Sequence, residues 1–253
     1  MKKQTHFISQ SVTYKNNYYI DKPNEDYIIA DDSKGIYILL DGVSVDRKND
    51  KYPCPSPALK ASTIFATTVY KYLIKEKEDN DYISSIKLSI KEGNKMLYYF
   101  NKKNKYPVPA GTVGIISIIK EYYLYYAYIG DCFGRIISKN NIYTFTKEQT
   151  YLVRIHKNEL TKNEIRLSIC NNIHHPYGYG VYNGSKNALD FVTTGEIFLH
   201  KNDIILLNSD GYEPYLTNLS YTFSKDIFTC ASPSVIGDRK TDDRSLILIK
   251  ENI

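Results

Sequence analysis

The chain has 253 residues, 42% of them hydrophobic and 24% charged, a balance that excludes intrinsic disorder and allows a sizeable core in one large domain or two small ones. No apolar run approaches the roughly 20 residues of a membrane-crossing helix, and the opening MKKQTHFISQ lacks the apolar stretch and cleavage site of a secretory signal, so the expected compartment is the cytoplasm. The formal net charge of +5 is carried by lysines set among acidic residues, as in KYLIKEKED, the pattern of a solvated helix face. Only Lys102, Lys103 and Lys105 cluster, without a nucleic-acid motif around them, so neither nucleic acid nor a membrane is expected as a partner.

HFISQSVTY, YIIAD and GIYILLDG open the chain as strands, rich in β-branched and aromatic residues with turn residues between them. The period then changes. Ala58, Ala61, Phe65, Val69 and Leu73 recur at three- and four-residue steps after Ser56-Pro57, a cap followed by proline at the first helical position. A second helix is predicted from about Asp81, with Ile83, Ile86, Ile90 and Leu97 on one face, ending at KKNKYPVP. GTVGIISIIK, YYLYYAYIG, GRIIS and IYTF return to strand patterns at a spacing that suits antiparallel neighbours. Thr146 to about Asn172 reads as helical, best over Glu159–Ile169, and HHPYGYGVYNG as a loop. LDFVTTGEIFL and NDIILLNSDG are strands, Tyr212–Thr241 is poorly patterned, and RSLILIK is a closing strand.

With no repeat, linker or composition shift, the expectation is a single domain over residues 1–253, of α+β class with helices on the outer faces of packed antiparallel sheets. With 25 tyrosines and no tryptophan, tyrosine must supply much of the aromatic packing. Cys54, Cys132, Cys170 and Cys230 are too far apart for zinc or redox motifs and read as free thiols. His156, His174 and His175 read as surface or loop residues.

The chemistry lies at strand ends. Asp26 precedes YIIAD within Asn24-Glu25-Asp26, Asp41 ends ILLDG, Asp131 ends YIGD, Asp210 ends LLNSDG, and Asp242 opens the last strand. Singly these are ordinary turn residues: Asp-Gly is a common turn signal, and Asp242-Asp243 could merely charge the start of an edge strand. Together at one edge of a sandwich they would repel one another unless cations neutralised them. Oxygen ligands select hard ions such as Mg²⁺ or Mn²⁺.

In chain order, NED, a strand ending in DG, AGT, a strand ending in GD, a strand ending in SDG, and DDRS opening a terminal strand resemble the metal-dependent protein phosphatases of the type 2C class, from about Gln10 to Ile249. TKEQT, His175-Pro176 and Asn202-Asp203 are smaller echoes of the same family. The resemblance implies a four-layer αββα sandwich, two central antiparallel sheets flanked by helix pairs, with two metal ions at one end. It implies that Asp41 bridges both ions, that the Gly42 carbonyl ligates one, and that Asp210 and Asp242 complete the other's shell. Glu25 and Asp26 would act largely through water, and Asp131 would help hold a possible third ion. The implied cofactor is Mn²⁺ or Mg²⁺, and the implied substrate a phosphoserine or phosphothreonine protein, hydrolysed by a monomer through in-line attack of a water shared by the ions. Asp41 and Asp210 carry the catalysis in that scheme.

Two departures from the family pattern concern the substrate. The arginine that many members carry three residues before Asn-Glu-Asp, able to grip phosphate bidentately, is Asp21 here, leaving neighbouring Lys22 as the candidate phosphate contact. Val43 follows Asp41-Gly42, where a histidine that protonates the leaving group is absent. A non-catalytic relative that binds a phosphoprotein or partner, and a phosphatase of small metabolites, therefore remain alternatives. Thr112, in AGT, reads either as a support near the site or as a plain strand threonine.

Overall fold

The structure, a computed structural model, describes residues 7–75, 81–139, 141–216 and 242–252. Its strands form two five-stranded antiparallel sheets. One has the order β1 (Phe7–Tyr14), β10 (Arg244–Glu251), β9 (Ile204–Asn208), β6 (Phe133–Ser138), β7 (Asn141–Thr144). The other has the order β2 (Tyr27–Asp31), β3 (Ile36–Val43), β4 (Gly111–Lys120), β5 (Tyr123–Ile129), β8 (Thr193–Phe198). Strand alternation sorts the side chains of the first sheet. Ile205, Leu207, Ile247 and Ile249 enter the main core, whereas Leu206, Leu246 and Ile137 join Tyr212 and Leu216 in a second cluster on the opposite face. β3 and β4 are buried on both faces, over Ile36–Leu40 and from Gly111 through Ile119.

Two long helices cover the second sheet. In α1 (Pro57–Leu73) the Ser56 hydroxyl accepts the Leu59 N–H at 3.1 Å, Pro57 occupies the first turn, and Ala58, Ala61, Phe65, Val69 and Leu73 form the buried stripe expected from their spacing. In α2 (Tyr82–Asn104) the Asp81 carboxylate accepts the Ser84 N–H at 2.9 Å, and Ile86, Ile90 and Leu97 face inward. Phe65 is fully buried and stacks on Tyr182 with ring centroids 4.2 Å apart. Phe65→Ala should therefore cost about 3–5 kcal/mol, read as a lower urea midpoint at unchanged slope. Tyrosine does replace tryptophan in the interior, with Tyr37, Tyr182 and Tyr212 among the largest fully buried side chains.

The helical expectation over Thr146–Asn172 is met only in part. α3 covers Tyr151–His156 and a π-helical turn covers Glu164–Ile169, with residues 157–163 between them. Leu152, Ile155 and Leu167 are exposed, so no continuous apolar stripe is buried to hold one long helix. LDFVTTGEIFL also divides, into a 3-10 turn at Lys186–Phe191 begun by the Ser185 hydroxyl and then β8. On the outer side of the first sheet lies α4 (Glu213–Leu216). The remainder of the poorly patterned stretch, too short and weakly helical in sequence for more than a trimmed covering helix, lies outside the described residues, as does Cys230. Cys54, Cys132 and Cys170 are free thiols, and among the described residues no helix is long and apolar enough to cross a membrane. His174 is exposed, while His156 and His175 pack on Tyr177.

Candidate functional site

Five strand ends deliver acidic residues to one end of the sandwich. Asp26 immediately precedes β2, Asp41 lies near the end of β3, and Asp131 sits in the turn that carries the chain from β5 in one sheet to β6 in the other. Asp210 follows β9, and Asp242 stands two residues before β10. β10 is an interior strand between β1 and β9, so charging an edge is not what Asp242 and Asp243 do.

The carboxylates lie within each other's electrostatic field. Burial, reinforced by the charges of Asp26, Asp210, Asp242 and Asp131, pushes Asp41 well above the usual carboxylate range. Burial and the charges of Asp131, Asp242 and Asp26 do the same to Asp210. Asp26 is pushed up to about 7 by burial, then by Asp243 and Asp242, against the opposing hydrogen bonds of Ser245 and Ser209. Burial also raises Asp131, tempered by the Thr150 hydroxyl at 3.0 Å. Among the described residues Asp26 Oδ1 and Asp210 Oδ1 are buried without a hydrogen-bond partner. Orphaned anionic oxygens of this kind fit a hard divalent cation, in ligand chemistry and in charge. As the side chains stand, no group of three or more His, Cys, Asp or Glu among the described residues is placed to hold an ion.

The surrounding scaffold fixes where these groups can move. The Ser209 hydroxyl donates to Asp26 Oδ2 at 2.9 Å and accepts the Ser245 N–H at 2.9 Å, tying the start of β2 to both β9 and β10. Thr112, fully buried, donates its hydroxyl to the Asp41 carbonyl at 2.6 Å, so it supports the end of β3 rather than merely filling a strand position. Gly42 lies where a Cβ would stand 2.7 Å from the Glu25 carbonyl and 3.0 Å from that of Ala58. Only glycine lets the Asn24–Asp26 backbone pass this close. Gly42→Ala should cost about 1–3 kcal/mol, with a correspondingly lower melting temperature.

Glu25 and Lys22 are both buried and engaged by protein groups. Glu25 is fully buried, and its carboxylate accepts hydroxyls from Tyr52 (2.6 Å), Ser44 (2.6 Å) and Ser56 and pairs with Lys22 at 3.3 Å. Its oxygens are engaged by protein groups. Lys22 is also buried, with Nζ 2.9 Å from Asp242 Oδ1 and 3.2 Å from Asp243 Oδ2. Burial disfavours its charge, but Asp242, Asp243 and Glu25 together raise its pKa well above the ordinary lysine value. Asp21, in the place of the family arginine, is exposed and grips Arg47 through both carboxylate oxygens while accepting the Tyr52 N–H at 2.8 Å. Val43 brings no donor.

Asp243 is the residue whose part in the site sequence reading underrated. Buried, it accepts the N–H groups of Asn16 at 2.8 Å and Glu25 at 2.9 Å and so clasps the β1–β2 connection to the start of β10. Its signal was the adjacency to Asp242 at the start of the last strand.

No protein-family model and no curated protein sequence matches the chain. Solved structures do. The catalytic domain of the serine/threonine protein phosphatase PstP, in complex with two manganese ions, superposes with a TM-score of 0.72 at 14% identity, over 98% of this chain and 99% of that one. The S. agalactiae serine/threonine phosphatase gives 0.71 at 18%, over 98% and 100%. The phosphatase MsPP from Mycobacterium smegmatis, in complex with cacodylate, gives 0.64 at 15%, over 98% and 100%. The two antiparallel sheets and the helix pair on β2–β5 are therefore those of the metal-dependent serine/threonine phosphatase fold.

Proposed function

We propose that residues 1–253 form one metal-dependent phosphatase domain that hydrolyses phosphoserine and phosphothreonine esters in proteins. The observation that carries this reading is the convergence of Asp26, Asp41, Asp131, Asp210 and Asp242 from both sheets, with Asp26, Asp41, Asp131 and Asp210 raised in pKa by burial and by the neighbouring charges. Asp41 would hold both of two Mn²⁺ or Mg²⁺ ions, with the Gly42 carbonyl on one and Asp210 and Asp242 on the other. Asp131 is assigned to a third ion and Asp26 to a supporting contact. When bound, such ions supply an activated water near neutral pH and neutralise charge on the phosphoryl oxygens. The chain's own residues hold the donors: Thr112 fixes the Asp41 carbonyl, Ser209 fixes Asp26, and Glu25 anchors the tripeptide in its cage of hydroxyls.

Manganese-dependent release of phosphate from phosphopeptides and from an aryl phosphate is the expected result, and metal binding without turnover on any of them would sink the reading. A second reading has its own observation. The donors of Lys22 point to three carboxylates and Arg47 is held by Asp21, which favours a non-catalytic relative that binds a partner protein. Turnover decides between them, and comparative rates on free phosphate esters test a metabolite phosphatase.

A further inference from the structure

Lys22 approaches the acidic end of the sandwich from the β1–β2 connection and is held at three points. Its ammonium lies 3.3 Å from Glu25 Oε2, 2.9 Å from Asp242 Oδ1 and 3.2 Å from Asp243 Oδ2. A lysine ammonium has three donors and no acceptor, so three carboxylate partners leave nothing for a phosphate. Arg47 pairs with Asp21, and Arg166 and Lys162 pair with Asp46. The cluster is thus divided. On the Glu25–Asp242–Asp243 side a protein cation neutralises the carboxylates, while on the other side Asp26 Oδ1, in a side chain that is 5% exposed, and Asp210 Oδ1 have no partner among the described residues.

Asp242 belongs to both sides. Its Oδ1 accepts from Lys22 and from the Asp243 N–H at 2.8 Å, and its charge acts on Asp41 and Asp210. We infer that Lys22 is a resident counter-cation of the acidic centre, and that a divalent ion taking Asp242 as a ligand must displace or share this ammonium. The inference rests on the metal-centre reading given above and adds a positioning residue to it. Lys22 holds the metal-free site together and weakens the ion on the Asp242 side, so the centre loads asymmetrically.

The test compares the full chain with Lys22→Gln and Lys22→Arg by calorimetric Mn²⁺ titration and by melting in chelator and in manganese. Neutralising a unit charge a few ångströms from a ligand is expected to tighten one Mn²⁺ site by about tenfold or more. Lys22→Gln should show that gain and melt lower in chelator. Lys22→Arg should keep the wild-type affinity, and Asp242→Asn should erase the gain. A folded Lys22→Gln protein with unchanged or weaker Mn²⁺ affinity, even with a lower melting point in chelator, would overturn the inference, since a purely structural lysine behaves that way. If Lys22→Gln does not fold, Mg²⁺ titration of the wild-type chain decides. The Lys22 ammonium resonance, assigned with Lys22→Arg, should shift on Mg²⁺ binding, and an unmoved resonance overturns the proposal. A wild-type chain that binds neither ion defeats the metal-centre reading itself, an outcome distinct from binding that ignores Lys22.

Discussion

Asp41→Asn is expected to lower manganese-dependent hydrolysis of an aryl phosphate by about 10²–10³-fold while raising the melting temperature of the metal-free protein. The two effects share one cause. Asp41 lies in the combined field of Asp26, Asp210, Asp242 and Asp131, and burial makes that field more costly. Removing its charge relieves repulsion when no ion is present and removes the ligand assigned to both ions when they are. Asp210→Asn should behave likewise, since burial and three of the same neighbours act on it. The opposite movement of activity and stability separates loss of a ligand from loss of the fold, as functional carboxylates held against repulsion are expected to do. Activity retained in both variants, or lost together with stability, would remove the assignment.

The second large effect is on stability against pH. Asp26 has its carboxyl raised from 3.8 to about 7 in the folded chain, so between those values the native state binds more protons than the unfolded state. Stability then falls as pH rises through that window. Asp41, Asp131 and Asp210 are shifted in the same direction and add to the slope. The carboxylates held low by their partners, Asp31 and Asp46 among them, act oppositely, but their contribution is essentially complete by about pH 5. In chelator the melting temperature should therefore decline by several degrees from about pH 5 to pH 7.5. Manganese should flatten or reverse that decline, stabilising more at the higher pH because bound ions replace protons. A metal-free melting temperature that climbs steadily across the same range would contradict the crowding of these carboxylates.

Much of this arrangement was legible from residue order. Periodicity found α1 and α2 because each has one apolar stripe set between a side-chain cap and a polar stop. It overextended the helix after Thr146, where Leu152, Ile155 and Leu167 mimic a stripe that nothing covers. The same limit applies to the site. Asp26, Asp41, Asp131, Asp210 and Asp242 could be named from strand ends and from the order of motifs, because an aspartate beside a strand terminus is a local feature. Where a long side chain reaches is not.

The sequence by itself thus determined the alternation of strands and helices and the candidate carboxylates, both written in spacings of a few residues. Tertiary structure alone decided which charges meet. The pairing of β1 with β10 brings residues more than 200 positions apart into register, Tyr14 opposite Arg244. That closure places Lys22 on Asp242 and Asp243, while other tertiary contacts set Asp21 on Arg47 and leave Asp26 and Asp210 with buried unpartnered oxygens. Coulomb interactions depend on distance in space, and the spacing of these residues along the chain carries no record of it.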